Sequence, residues 1–356
     1  MDMNNNKIDW FVFYKMPKIK ANTNPHIANG TGFLYLDSNA RGQWIQPSVG
    51  METGDHAVFY TLQHFYQSSP ENTFSIMYND EFPNSTVWSD DSGHTKGVSV
   101  FDQQSGYWLI HSIPKFPSNW TYEYPPNAHT YAQMGICITF SYDTLSDISQ
   151  QLWYNEPFVY EMNVPAVFAN NFPFLTRVQH GLYNAQPPFY RIINLKSMGG
   201  QKFTSFAKSG KWGKDLYYDL VAPKLSTNLE VETWQHASNE SANLFSWCSV
   251  DGTTEVLNVE DVSLPFGLTF SNYYDHSKYA VSFALPGKVT LPWTHQMDRG
   301  GGTMCINDPV LYNLYLPTLS KMYTCKGTVP PPQPDGRPSL HPTQEKPWLR
   351  VNRIPI

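Results

Sequence analysis

The tripeptide His-x-Lys occurs twice in this chain, and each copy leads into an alternating run of apolar residues. His94 and Lys96 form the first copy, and His276 and Lys278 form the second, 182 positions later. An imidazole titrates near neutral pH and can act as nucleophile, acid or base, whereas a lysine supplies a fixed positive charge. One such pair in each half of the chain predicts a two-histidine phosphodiesterase, in which both pairs surround one phosphate.

A single His-x-Lys carries little information, because a short motif of common residues arises by chance. One copy alone is explained most simply by a histidine at a strand edge beside a solvated lysine. The two copies share more than the tripeptide: a Val-Ser-apolar step follows each lysine, one position later in the second copy. This alternation predicts that each motif lies at the start of a strand with one buried face.

Cleavage of a phosphodiester without a metal ion requires a neutral nucleophile, an acid for the leaving oxygen and positive charge near the non-bridging oxygens. Two imidazoles in opposite protonation states and two lysines meet these needs, and a covalent phosphohistidine fits the scheme. Acidic residues also precede the motifs: Asp90 and Asp91 lie just before His94, and Asp275 directly before His276. They could orient the imidazoles, but they form no evident cation cage, so we expect neither a metal site nor another cofactor.

Composition narrows the class of protein. Of 356 residues 41% are hydrophobic, 15% aromatic and 15% charged, with 28 prolines, which is typical of strand-and-loop proteins. No apolar run approaches the roughly 20 residues that span a bilayer, so we expect no membrane association. The formal net charge of −6 argues against a polyanionic partner at neutral pH, but full protonation of the 11 histidines would take it to +5. Mildly acidic conditions would therefore favour a polyanion.

Apolar periodicity predicts strands and helices in both halves of the chain, which favours α/β layers. The expected strands are Trp10–Lys15, Gly32–Leu36, Phe74–Tyr78, Thr95–Phe101, Tyr107–Ile113, Met134–Tyr142, Tyr190–Leu195, Lys202–Phe206, Leu229–Trp234, Glu255–Val262 and Tyr279–Ala284. The expected helices are Asp55–Gln67 with Asp55 as its cap, Asp143–Trp153, Lys214–Leu220 ending before Pro223, and Asp308–Tyr323 interrupted near Pro317. We place a boundary near Phe172-Pro173, which gives units 1–172 and 173–328 followed by a Pro-rich, extended tail, 329–356.

A basic stretch lies between Arg191 and Lys224, opposed only by Asp215 and Asp219. Its cationic members are Arg191, Lys196, Lys202, Lys208, Lys211, Lys214 and Lys224. Such a stretch is often only a solvated face. Alternatively it forms a phosphate-tracking surface, with Phe206 and Trp212 available to stack on bases.

Several longer segments, in order and almost end to end, resemble the deoxyribonuclease II family, the acid DNases of the phospholipase D superfamily. The matching segments are Asp9–Lys15, Gly93–Val98, Trp108–Pro117, Thr130–Gln133, Phe206–Lys208, Gly213, Asp215–Tyr217, Asp275–Lys278 and Gly300–Cys305. The resemblance implies an α/β fold of two phospholipase D-like mixed-sheet repeats, a pseudo-dimer within one chain that shares one active site. It also implies metal-independent endonucleolytic cleavage of DNA, expected to be double-stranded, at acid pH to 3′-phosphate ends.

Residue roles follow from the same resemblance. His94 and His276 match the catalytic histidines, with His94 as nucleophile and His276 as acid by superfamily analogy. Lys96 and Lys278 match the phosphate-binding lysines, and His111 matches a third family histidine. From the basic stretch and from the position after the second motif, we expect the substrate-binding residues to be Lys196, Lys208, Lys211, Asp298 and Arg299.

The chain departs from these patterns at two places. The superfamily's aspartate five residues after the lysine is replaced by Phe101 and Phe283, an absence shared with acid DNases and unlike phospholipases. The family's Asn-Arg after the second motif is replaced by Asp298-Arg299, so Asp298 must be protonated or point away from a bound phosphate.

The four cysteines bear on the compartment. Cys137 lies in an apolar run and is expected to be a buried thiol, while Cys305 and Cys325 flank a predicted helix. The Cys305–Cys325 pair resembles a disulfide of animal family members, which suggests an oxidising compartment. The first seven residues show no secretory signal. We therefore expect a secreted, periplasmic or lysosomal protein, and this expectation rests only on the implied disulfide.

Two other functions stay open at this stage: a lipid phosphodiesterase of the phospholipase D type, and a DNA-binding homologue without catalysis. The sequence predicts no amphipathic docking helix, which disfavours the first. Both His-x-Lys copies are intact, which disfavours the second. A homodimer is left open.

Overall fold

The computed structural model describes residues 1–234, 246–250, 252–283, 287–291, 297–325 and 328–329. Except for Val329, the predicted Pro-rich tail therefore lies outside the described residues. The described chain forms two large sheets with short helices around them, so the predicted mixed α/β class is confirmed.

The first sheet has seven antiparallel strands in the order β2-β1-β6-β5-β4-β3-β7. The strands are β1 Trp10–Lys15, β2 Phe33–Asp37, β3 Phe74–Tyr78, β4 Lys96–Phe101, β5 Ser105–His111, β6 Gln133–Ser141 and β7 Val159–Asn163. The helices of this half are α1 Pro25–Asn29, α2 Ala57–Tyr66, α3 Leu145–Asn155, α4 Ala166–Asn171 and α5 Pro173–Gln179. The predicted boundary at Phe172-Pro173 falls between α4 and α5, in the segment that joins the two sheets.

Among the described residues, the second sheet has nine strands in the order β18-β11-β12-β10-β15-β16-β17-β9-β8. They are β8 Tyr190–Lys196, β9 Lys202–Lys208, β10 Leu229–Glu232, β11 Trp247–Ser249, β12 Glu255–Asn258, β15 Tyr279–Ser282, β16 Lys288–Leu291, β17 Gly301–Asn307 and β18 Thr328–Val329. A separate hairpin pairs β13 Asp261–Leu264 with β14 Leu268–Ser271. The helices are α6 Ala222–Leu225 and α7 Pro309–Tyr315.

The central strands of the two sheets correspond. In the first sheet the spatial order is β1-β6-β5-β4-β3, and in the second it is β9-β17-β16-β15-β10, with the same order along the chain. The edges differ, because β7 runs antiparallel to β3 whereas β12 runs parallel to β10. The matched centre supports the prediction of two repeats, and it makes the two His-x-Lys strands, β4 and β15, equivalents.

Alternation along β1 explains how the sheets pack. Trp10, Val12 and Tyr14 join a core cluster that includes Tyr279 and Val281 of β15, so one face of each sheet shares a common core. Phe11 and Phe13 point to the opposite face, where they pack against α2. Because both faces of β1 are covered, all six of its residues are buried.

Two predicted elements differ in the structure. Glu255–Val262 is two strands, β12 and β13, which belong to different sheets. The helix expected to end before Pro223 is instead a π-helical turn, Tyr217–Val221, followed by α6. Pro223 lies in the first turn of α6, where a missing N–H breaks no helical hydrogen bond.

Two details of the predicted helices also change. The cap of α2 is His56 and not Asp55: the His56 Nδ1 accepts from the Phe59 N–H at 3.3 Å. The last predicted helix is shorter, because α7 is followed by a 3-10 turn, Leu316–Thr318, at Pro317.

The predicted Cys305–Cys325 disulfide is wrong. Cys325 is bonded to Cys248 instead. Cys305 lies on β17 with its free thiol inside the core cluster that covers the outer face of the second sheet, where burial raises its pKa to about 12. Cys137 is a buried free thiol, as expected.

Candidate active site

The two His-x-Lys motifs lie at the starts of equivalent central strands. Lys96 is the first residue of β4, and Lys278 directly precedes β15. Each histidine is therefore two residues further out, at the end of its sheet. The expectation that both motifs precede strands is confirmed.

Each histidine is fixed by the backbone of the other half of the chain. The His94 N–H donates to the Gly300 carbonyl at 3.1 Å, and the His276 N–H donates to the Ala132 carbonyl at 3.0 Å. Gly300 and Ala132 are equivalent, since they directly precede β17 and β6, which correspond in the matched strand orders of the two sheets. This reciprocal exchange places the motifs along one seam between the sheets.

Around His94 the seam carries a charge cluster centred on Asp80. Its carboxylate accepts from the Lys96 ammonium, and it also accepts from Arg299 Nη2 at 3.2 Å. Asp80 Oδ2 is 3.6 Å from Nε2 of His94. Asp80, Lys96 and Arg299 are all buried, whereas the His94 side chain retains 25% exposure. Asp80 can therefore orient the imidazole and hold Lys96 in place.

Around His276 the seam is aromatic. The Tyr131 ring stacks on the imidazole with centroids 4.1 Å apart and planes 9° apart, and the Trp234 ring lies 4.3 Å away. The His276 Nε2 is buried without a hydrogen-bond partner among the described residues. Burial, followed by the positive charges of Lys278, Lys96 and Lys15, lowers the pKa of His276 well below its ordinary value.

The two motif lysines are close enough to affect each other. Burial and then the charge of Lys96 lower the pKa of Lys278 to about 8, and the Lys278 Nζ donates to the His276 carbonyl at 3.0 Å. Lysines from both halves therefore share one electrostatic environment, as a site for a single phosphate requires.

His111 lies behind Lys96. The two residues are cross-strand partners on β4 and β5, and His111 is 2% exposed. Its Nδ1 accepts from the Ile113 N–H at 3.2 Å, and its Nε2 has no partner among the described residues. Burial, then Lys96, lower its pKa to about 3, so it is a neutral group beneath the lysine.

A buried acidic pair lies beside His276. Asp275 accepts from the hydroxyl of Tyr14, which reaches across from β1, and from the Ser277 N–H at 2.7 Å. Burial raises the pKa of Asp275 and raises that of Glu232 well above its ordinary range. These groups set the field behind Lys278 rather than facing a substrate.

The predicted substrate-binding residues do not form one surface. Lys196, Lys211 and Asp298 are exposed. Lys208 is 0% exposed, and its Nζ donates to the carbonyls of Met297 at 3.1 Å and Arg299 at 2.7 Å. The prediction that Lys208 contacts DNA is therefore wrong, because its ammonium is enclosed by the protein.

Other residues of the basic stretch are also too buried to contact DNA. Phe206 is 0% and Trp212 9% exposed, so the prediction that they stack on bases is wrong. Lys214 is buried as well. Arg299 is brought to the site, but it binds Asp80 and the carbonyls of Ser89 and Ser92.

Sequence reasoning missed Asp80, Tyr131 and Trp234. Asp80 follows the end of β3 by two residues, a position that often carries polar groups at a sheet edge, and this was the available signal. No group of three or more His, Cys, Asp or Glu side chains with metal-binding geometry occurs among the described residues. None of the helices in the described part of the chain is long and apolar enough to cross a membrane.

Fold and site together define a mixed α/β protein with a paired histidine–lysine centre. Known proteins are similar to it in sequence. The family model of deoxyribonuclease II matches residues 1–325. Cell death-related nuclease 6 of Caenorhabditis elegans is 46% identical over 335 residues, 91% of this chain and 88% of that protein. Deoxyribonuclease-2-alpha of Rattus norvegicus is 38% identical over 325 residues, 86% and 89% of the two chains. Plancitoxin-1 of Acanthaster planci is 37% identical over 338 residues, 91% and 92%. The chain belongs to the deoxyribonuclease II family.

Proposed function

We propose that this protein is an acid endodeoxyribonuclease that cleaves DNA phosphodiesters without a metal ion and leaves 3′-phosphate ends. The observation that carries the proposal is the reciprocal pair of backbone hydrogen bonds, from His94 to Gly300 and from His276 to Ala132, which places both His-x-Lys motifs on one seam. Family membership supplies the substrate, since relatives are named deoxyribonucleases. The reaction needs two imidazoles in different protonation states, and the surroundings of His94 and His276 differ: a carboxylate lies beside the first, whereas aromatic rings and lysines surround the second.

His94 is assigned as nucleophile. Its side chain is 25% exposed, whereas Nε2 of His276 is buried, and Asp80 is placed to orient His94 and to stabilise the positive charge that forms on it. A ring nitrogen of His94 attacks phosphorus, the P–O5′ bond breaks, and His276 donates its proton to the leaving O5′. The phosphate stays on the 3′ oxygen and is covalently bound to His94. Neutral His276 then takes a proton from water, whose oxygen attacks phosphorus and releases His94 and a 3′-phosphate.

The acid optimum follows from His276. The first step needs its protonated form, and the protonated fraction falls as pH rises through the pKa. Burial and three lysines lower that pKa. As pH rises, the rate should therefore already decline below about pH 6.5, the ordinary pKa of histidine. A bound phosphate raises the pKa of His276 again and so favours its protonated form in the complex with DNA.

The test digests plasmid DNA and phospholipid vesicles side by side in excess chelator at pH 5. We expect nicked DNA and intact lipid. His94→Ala and His276→Ala should each lower the rate at least about 10³-fold, while the exposed His180→Ala retains it. A DNA–protein adduct stable to alkali and labile to acid should form with the wild type and not with His94→Ala. Loss of cleavage in chelator, restored by magnesium, would overturn the proposal; cleavage of lipid alone would favour the phospholipase function.

A further inference from the structure

Two fully buried lysines occupy equivalent positions in the two sheets. Lys15 is the last residue of β1 and Lys208 the last residue of β9, and both are 0% exposed. Their neighbours in the sheets also correspond: Lys15 pairs with Gln133 at the start of β6, and Lys208 with Gly301 at the start of β17. A buried ammonium is costly unless it is hydrogen-bonded, so each must have a structural partner.

Each lysine donates to the loop that leads into the neighbouring strand. The Lys15 Nζ is 3.0 Å from the carbonyl of His129, and the Lys208 Nζ is 3.1 Å and 2.7 Å from the carbonyls of Met297 and Arg299. We call residues 129–132 the first entry loop and residues 297–300 the second. Both lysines therefore bind backbone oxygens, which fixes the course of the main chain.

Both entry loops reach the histidine of the opposite half. In the first, Tyr131 stacks on His276, and the Ala132 carbonyl accepts its N–H. In the second, the Gly300 carbonyl accepts the His94 N–H, and Arg299 binds Asp80 beside His94. The path from each lysine to the opposite histidine is thus continuous through one short loop.

We propose that Lys15 and Lys208 are a matched pair of positioning residues, each of which fixes the entry loop that holds the catalytic histidine of the other half. The catalytic role of the two histidines rests on the proposed function, whereas the positioning role of the lysines rests on the hydrogen bonds. Lys208, expected from sequence to bind DNA, instead acts through Arg299 and Gly300.

Electrostatics distinguish the two members. The charge of Lys15 helps to lower the pKa of His276, together with Lys278 and Lys96, while Asp275 is its acidic neighbour and Tyr131 and Trp234 cover the ring. Lys208 faces four acids instead, Asp215, Glu156, Asp298 and Asp219. Removing Lys15 should therefore move the titration of His276, whereas removing Lys208 should not.

The first experiment reads histidine ring resonances by NMR in the full chain, with Lys15→Met, Lys208→Met and the exposed control Lys20→Met. We expect a crossed pattern. Lys15→Met shifts the resonances of His276 and raises its titration midpoint by about half a unit or more, and Lys208→Met shifts those of His94. Lys20→Met shifts neither. A response confined to the histidine of the same half, or equal for both, would overturn the proposal.

The second experiment is a double-mutant cycle on kcat with Lys208→Met and Arg299→Gln. If Lys208 acts through the second entry loop, the loss of kcat in the double variant should be smaller than the product of the two single losses, and KM should change little in Lys208→Met. Additive losses contradict the proposal. An inactive wild type would refute the proposed function alone, because the NMR pattern needs no activity. Where a methionine variant fails to fold, glutamine replaces it; failure of both means that the lysine serves folding, and the proposal is wrong.

Discussion

At the scale of single residues, Asp80 determines how the positive groups of the first motif are arranged. It is buried, and its carboxylate contacts Lys96, Arg299 and the edge of the His94 ring. Without this carboxylate, two buried cations would repel each other next to the imidazole. Asp80 lies two residues after the end of β3, and from there it supplies a carboxylate to the first motif.

Asp80→Asn should therefore lower both stability and activity. The amide keeps a hydrogen-bond acceptor but removes the charge that balances Lys96 and Arg299, and breaking a buried pair in this way costs on the order of 3 kcal/mol. We expect kcat to fall at least about tenfold as Lys96 and His94 lose their fixed positions. Denaturant unfolding and single-turnover cleavage measure the two effects.

The matched control is Asp91→Asn, which removes an exposed carboxylate from the same connection before β4. It should change the free energy of unfolding by less than about 0.5 kcal/mol. Equal behaviour of the two variants would show that Asp80 has no special role.

At the scale of elements, the connections matter more than the strands. Two glycines on the seam, Gly93 and Gly300, approach the same backbone oxygen at the end of α3. A Cβ added to either would overlap the carbonyl oxygen of Asn155. Gly93 directly precedes His94, and Gly300 accepts its N–H. The end of α3 therefore sets the distance between the two loops that enclose the first histidine.

Gly300→Ala tests this close approach. The added methyl group must displace α3 or the second entry loop, and overpacking of this kind costs about 1–3 kcal/mol. We expect kcat to fall with little change in DNA affinity, because the displaced carbonyl holds His94 and no phosphate. Gly42→Ala is the control, since nothing lies within 4 Å of a Cβ built there. Wild-type kcat in Gly300→Ala would contradict the role given to the loop.

Sequence patterns predicted the elements with local signals and missed those that depend on distant partners. Alternation gave β1, β3 and β4 to within a residue, because a strand with a buried face has period two. The same pattern could not show that 255–262 divides between two sheets, since the break is set by tertiary pairing. The motif pairs at His94 and His276 were predicted, but Asp80 and Tyr131 reach them only through folding.

At the scale of the whole molecule, the charge argument from composition becomes weaker. Burial lowers the pKa of His56 to about 4 and that of His111 to about 3, so both stay neutral at pH 5. Even with the other nine histidines all protonated and all carboxylates ionised, the net charge would rise from −6 only to +3. Capture of DNA must then depend more on local lysines than on overall charge.

The same buried groups make folding stability depend on pH in opposing ways. A histidine whose pKa is lowered in the folded state makes the protein less stable as pH falls from the unfolded pKa of about 6.5 toward the folded pKa. The reason is that the unfolded state binds the proton first. A carboxyl whose folded pKa is raised, such as Glu232 or Asp275, contributes stability that is complete below its unfolded value and is lost as pH rises through the folded value. The acids therefore offset the histidines under acidic conditions.

His56→Asn isolates one of these contributions away from the seam. His56 caps α2 and contacts Phe33 and Tyr122, and burial lowers its pKa to about 4. Asparagine preserves the cap but does not titrate. At pH 7 the variant should be less stable than the wild type, because the substitution removes the packing of the imidazole ring. The difference should then shrink by about 1.4 kcal/mol per pH unit from about pH 6 to pH 4.5. Denaturant unfolding at several pH values measures this slope, with the exposed His180→Asn as control; a constant difference would show that His56 does not titrate in this window.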